Sequence, residues 1–201
     1  MFISRRAALQ VALGSALLPA KSRPAHTVPT GLWPVMLTPF NPDKSIDWTT
    51  LDRLTDWYLA NGAAGLFACC QSSEVWELTV PERLEVAARV VKRAGKVPVV
   101  AGGMPGYEPA PVADYVNKLA AIGVQAAVLT TCQVAERADT DELWRDRVEA
   151  ILHAATHLPF GLYEAPRPYK RLLTPATMAW AARTNRFVFH KDTSCNLAAV
   201  T

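Results

Sequence analysis

Six short apolar runs, at 31–40, 65–70, 98–103, 126–131, 159–166 and 187–191, alternate with five segments of helical periodicity, and this alternation leaves the chain few possible folds. The runs are apolar at nearly every position, so neither side of a strand built from them can face water. A parallel sheet covered by helices satisfies them, because each helix carries the chain back to begin the next strand in the same direction. The helical segments bring their own start and stop signals. Asp47 precedes the segment 48–61 and Gly62 follows it. Thr79-Val80-Pro81-Glu82 places a proline inside a first turn, and Gly95 ends that segment. A third stretch, 110–122, stops at Gly123; Thr140-Asp141-Glu142 opens a fourth, and Thr174-Pro175 opens a fifth over 176–183.

An open doubly wound sheet and a closed (βα)8 barrel of the TIM type share this α/β alternation. Two observations favour the barrel. Reactive side chains follow the second, fifth and sixth runs, where a barrel places its site, and no GxGxxG or phosphate loop follows the first. About six of the eight strand–helix units are then present, and six cannot close in the usual geometry. The span 29–201 is therefore expected to be a partial barrel, either a fragment of a longer chain or a truncated product.

Half of the 201 residues are hydrophobic and 19% are charged, the composition of one globular domain. The formal charge of +3 comes partly from Arg5, Arg6, Lys21 and Arg23, and no later stretch mixes clustered lysine and arginine with aromatics, so no nucleic-acid partner is expected. The four cysteines lack CxxC spacing, which argues against a zinc site or a disulfide framework, and Cys69 and Cys70 read as small residues closing a buried strand. His153 and His157 lie one helical turn apart without a third ligand, so a solvated helix face is expected and no metal.

The N-terminus places Ser4-Arg5-Arg6 before an apolar stretch too short to span a bilayer. Residues 1–28 resemble a twin-arginine export signal, which implies a periplasmic protein with no membrane association once the signal is removed. The alternative is a frayed amphipathic helix on a cytoplasmic protein.

The chemistry concentrates at two strand ends. The run 187–191 finishes on Lys191, and a lysine held among apolar neighbours is favoured in its neutral, nucleophilic form. The run 159–166 carries Tyr163, a natural proton carrier for an amine attacking a carbonyl. The two residues lie 28 positions apart, the length of one strand–helix–strand unit, so both emerge at the same face. Taken singly, each has a plainer reading: a solvated strand-end lysine, and a core tyrosine with a satisfied hydroxyl. Ser72 and Ser73 can likewise cap a helix start with Glu74 in its first turn, Asp192 reads as a cap or salt-bridge residue, and His190 alternates away from Lys191. Arg167, Lys170 and Arg171 form a basic loop, either solvated or near an anionic substrate.

Leu37-Thr38-Pro39-Phe40, Gln71-Ser72-Ser73-Glu74, Tyr163-Glu164-Ala165-Pro166 and Lys191-Asp192-Thr193-Ser194, in that order, resemble the dihydrodipicolinate synthase and N-acetylneuraminate lyase family of class I aldolases. The resemblance covers about 31–201. It implies a closed eight-stranded barrel, a Schiff base between Lys191 and the ketone of pyruvate or a related 2-oxo acid, proton relay by Tyr163, no cofactor, and assembly into homo-oligomers. Where the family has glycine, two threonines, glycine and glutamate, this chain has Cys70, Gln71, Ser72, Ser73 and Glu74. Ser72 is then the expected relay hydroxyl, with Ser73, Gln71 and Thr193 toward the substrate. Cys132-Gln133 stands where the synthase branch has a tyrosine pair, and Pro168 stands at its arginine, so a reaction other than dihydrodipicolinate synthesis is expected. The alternative is a non-catalytic member or remnant that at most binds a small acid.

Overall fold

A computed structural model describes residues 28–155 and 158–196. The stretch read as an export signal lies, but for Val28, outside the described residues, as does His157 of the histidine pair. Five parallel strands form one sheet in chain order: β1 (Leu66–Ala68), β2 (Val99–Ala101), β3 (Ala126–Thr130), β4 (Phe160–Tyr163) and β5 (Phe187–Lys191). Between them lie α2 (Val80–Ala94), α3 (Pro109–Ile122), α4 (Asp141–Ala154) and α5 (Pro175–Arg183), and α1 (Trp48–Ala60) precedes β1. No described helix is long and apolar enough to cross a membrane.

The first apolar run departs from expectation. Instead of a full strand it makes a single parallel bridge, Val35 to Phe67, with Phe67 donating to the Pro34 carbonyl and Met36 to that of Phe67. Pro34 and Pro39 carry no N–H, so the run cannot extend a ladder on both sides of the bridge. Phe40 instead pairs antiparallel with Ile46, closing the turn that leads to α1.

Helix starts follow the sequence closely. Asp47 accepts from the Thr50 amide, Thr140 from Leu143 and Thr174 from Thr177. Thr79 and Glu82 form a reciprocal capping box at α2. Each such cap satisfies a donor that the first turn leaves unpaired, worth about 1 kcal/mol.

Strand alternation divides the core in two. Leu66, Ala68, Val99, Ala101, Ala127, Leu129, Phe160 and Leu162 pack toward the helices with Val86, Val90, Val116, Leu119, Trp144 and Ile151. Phe67, Val100, Ala126, Val128 and Tyr163 form a second cluster on the opposite face, with Cys70, Cys132 and Ala165 from the segments that follow the strands. The inner cluster is smaller, and it is the one that carries reactive side chains.

Gly161 matters for the position of β5. The β4–β5 register slips between Phe160 and Gly161, and a Cβ on Gly161 would lie 2.1 Å from the Phe189 ring. Only the bare backbone lets that ring lie across β4. Gly161→Ala is expected to destabilise the fold by about 1–3 kcal/mol through overpacking; a urea melt that matches wild type would show that the ring has room to move.

Candidate active site

Tyr163 and Lys191 end adjacent parallel strands and are direct register partners, which places both side chains on the inner face. The Lys191 Nζ lies 4.2 Å from the centroid of the Tyr163 ring and 5.4 Å from that of Phe67. The half-buried lysine thus leaves β5 across an aromatic wall that holds the ammonium over π faces while shielding it from water. Among the described residues no carboxylate forms an ion pair with it. Asp192, its neighbour in sequence, accepts from the Ser194 amide at 2.9 Å and caps the local turn. That contact, with the Ser194 hydroxyl, holds the Asp192 carboxyl below the usual range.

Cys70 is the group the sequence did not single out for chemistry. Its Sγ lies 3.8 Å from Lys191 Nζ, and it is only 2% exposed. The Tyr163 phenol also meets this thiol, and burial first, then Cys70, pushes the phenol up to about 12. The phenol therefore keeps its proton throughout the neutral range. A cysteine replacing a glycine at the end of the second run was the available signal, but nothing in the sequence aims it at a lysine 121 positions away.

The turn after β1 is a short 3-10 segment, Gln71–Ser73. Ser73 is 1% exposed, and its donors are committed: the amide to the Cys70 carbonyl at 2.9 Å and the hydroxyl to the Met36 carbonyl at 2.5 Å. The same hydroxyl accepts from the Cys70 amide at 3.0 Å. Ser73 ties the turn to the first run through these bonds. Thr193 is similarly engaged, its hydroxyl donating to the Glu164 carbonyl at 2.5 Å. Ser72 is exposed on the turn, and Gln71 Nε2 donates to the Arg167 carbonyl at 3.2 Å. Glu74, also exposed, closes the turn in a left-handed conformation.

The basic loop divides. Arg171 is 9% exposed, paired with Asp141 at 3.0 Å and donating to the carbonyls of Glu136 and Asp139, so it buttresses the loop and is neither solvated nor free for substrate. Lys170 donates to the Thr193 carbonyl. The Arg167 carbonyl also accepts from the Cys132 thiol at 3.2 Å, which draws the loop after β4 over the ends of β1 and β3. Behind the sheet, His190 Nε2 lies 3.4 Å from Oε1 of the buried Glu164, which accepts from the Leu173 amide.

Two openings reach this constellation. A cavity of about 490 Å³ adjoins Lys191 and is walled by Trp33, Val35, Phe67, Val100 and Phe189. A cleft of about 680 Å³ lies over the strand ends among Gln71, Glu74, Trp76, Cys132, Gln133 and Arg167. Both are mainly apolar; the first reaches the amine, and the second brings the side-chain amides of Gln71 and Gln133 to its wall.

Comparison with known proteins supplies the wider frame. A family model described as the dihydrodipicolinate synthetase family matches residues 28–201. A 4-hydroxy-tetrahydrodipicolinate synthase of Oceanobacillus iheyensis is 29% identical over 167 residues, covering 83% of this chain and 55% of that protein. Among solved structures, dihydrodipicolinate synthase of Acinetobacter baumannii, complexed with pyruvate, superposes with a TM-score of 0.76 at 23% identity, over 84% of this chain and 57% of that one. The sialic acid aldolase of Ruminococcus gnavus gives 0.74 at 19% identity, over 85% and 56%. The chain thus spans somewhat more than half the length of the relatives it matches, and its parallel sheet with alternating helices is a partial (βα)8 barrel. With the match covering every described residue, the chain belongs to the dihydrodipicolinate synthetase family.

Proposed function

We propose that this protein is a lyase or aldolase that forms a Schiff base between Lys191 and pyruvate or a related 2-oxo acid. The observation that carries the reading is the register pairing of Tyr163 with Lys191, which holds an amine 4.2 Å from the ring of a protonated phenol on a shielded face. The amine attacks the ketone carbon, and the carbonyl oxygen leaves as water. Counted from the ammonium, two of its three protons end in that water, so the site needs a group that moves protons between nitrogen and oxygen. Tyr163 is that group in this proposal. The resulting iminium withdraws electrons from the neighbouring carbon–carbon bond, which can then form or break. Gln71 and the exposed Ser72 lie toward the substrate, with Ser72 a hydroxyl available to the relay. Ser73 and Thr193 shape the turns around it.

The second substrate is proposed to differ from that of the synthases. Cys132-Gln133 occupies the place of the tyrosine pair and Pro168 that of the arginine, and the cleft they line includes the amides of Gln71 and Gln133 and the carboxylate of Glu74. The basic and apolar head of the chain supports export and a periplasmic role.

Incubation of the full-length protein with pyruvate and sodium borohydride is expected to add the mass of one reduced pyruvate, and Lys191→Ala to abolish it. No adduct with pyruvate or a panel of other 2-oxo acids would leave the protein a binder or a remnant. Tyr163→Phe should slow adduct formation by roughly 10²-fold.

Tyr163 also predicts a pH effect on stability. The folded state retains a phenol proton that the unfolded chain releases near 10.0, so this contribution is complete below that pH and lost as pH rises toward about 12. Urea melts across that interval should fall less steeply for Tyr163→Phe than for wild type; equal slopes would mean the phenol is as accessible folded as unfolded.

A further inference from the structure

We propose that Cys70 is a catalytic residue, the proton partner of the Lys191 amine during Schiff-base formation. The inference rests on the Schiff-base reading above and assigns within it a group that lies directly against the amine.

The geometry is specific. Three groups able to exchange protons meet on the inner face: the Lys191 amine from β5, the Tyr163 phenol from β4 and the Cys70 thiol from the end of the β1 segment. The sulfur accepts from Nζ at 3.8 Å, within range for a hydrogen bond to sulfur, and the phenol faces the same sulfur. Among the described residues, no other side-chain group of the turn has a hydrogen bond to the amine. Ser73 spends its hydroxyl on the Met36 carbonyl, Gln71 carries an amide that cannot take up a proton, and Ser72 is exposed. The Cys70 amide is held by the Ser73 hydroxyl, so the backbone that carries the thiol is fixed by its own turn.

The step balances. The step starts from the Lys191–Cys70 pair as ammonium and thiolate: one proton moves from Nζ to Sγ, giving amine and thiol, and the freed nitrogen lone pair attacks the ketone carbon. The carbon–nitrogen bond forms as the carbonyl π pair moves to oxygen, and that oxygen takes the phenol proton. The thiol then returns its proton to the Tyr163 oxygen, so phenol and thiolate end as they began and one proton has travelled from nitrogen to oxygen; a second passage by the same route, with the nitrogen lone pair forming the carbon–nitrogen double bond, lets that oxygen leave as water. No oxidant or further reactant is needed.

Other titratable groups facing the thiol are few. Cys132, from the turn after β3, shares the inner cluster, and its thiol is pushed up by burial. Cys69, the preceding residue, packs toward the helices and donates to the Arg83 carbonyl, and burial pushes it up to about 12. Both hold their protons at neutral pH, leaving Lys191 and Tyr163 as the exchange partners of Cys70.

The test follows adduct formation in time, with the full-length protein mixed with pyruvate, quenched into borohydride at intervals and read by intact mass, for wild type, Cys70→Ser and Cys70→Ala from about pH 6 to about pH 10. Both variants should reach the wild-type endpoint of one adduct, at least ~10-fold more slowly near neutrality. The deficit should close at alkaline pH, where solvent deprotonates the amine. Variant rates that track wild type at every pH overturn the proposal, and so does a deficit of constant size, which reports lost packing and no proton transfer. Melting curves verify folding, and the near-isosteric serine variant carries the test if the alanine variant is unstable. Absence of adduct in wild type removes the Schiff-base reading and the role of Cys70 together, whereas a wild-type adduct with unaffected variants removes only the latter.

Discussion

The parallel ladder between β4 and β5 is the constraint on which the rest of the site depends. Parallel strands place equivalent ends at one edge, and matched register puts partner side chains on one face. Tyr163 and Lys191 are such partners, so their proximity follows from main-chain hydrogen bonding and needs no attraction between the side chains. Gly161 and the bulge beside it set that register by letting the Phe189 ring cross the strand. A residue with a side chain at 161 would change where the lysine emerges.

Around this ladder the loops are fastened by polar groups that spend their donors on other segments of the chain. Ser73 holds the turn after β1 to the first run, Thr193 holds the segment after β5 to the one after β4, and Arg171 collects two carbonyls from the loop before α4 and a carboxylate from its first turn. Buried groups of this kind cost heavily when a partner is lost, which makes the strand ends rigid where chemistry requires fixed distances. The same commitments remove these residues from the pool of substrate ligands. The site is left with an amine, a phenol, a thiol and two side chains of one short turn.

Much of this was legible in the chain. Helix starts at Asp47, Thr79, Thr140 and Thr174 are written in short side chains that accept from the first turn, and they appear where the sequence places them. Apolar runs bounded by turn residues located five strands. The first run misled because hydrophobicity reports burial, whereas a ladder also needs N–H groups that Pro34 and Pro39 lack. The basic loop was less legible still: Arg171 and Lys170 look alike in sequence, yet one is buried against Asp141 and the other reaches a backbone carbonyl.

The sequence by itself determined the layered α/β architecture, the common face of Tyr163 and Lys191, and the family resemblance, because each depends on periodicity, spacing or local motif. Only the tertiary structure decided which hydroxyls are spent, that Arg171 is buried, and that Cys70 lies against the Lys191 amine. These are contacts between segments tens to more than a hundred positions apart, fixed by packing across the sheet, and no local pattern in a chain encodes the distance between two such atoms.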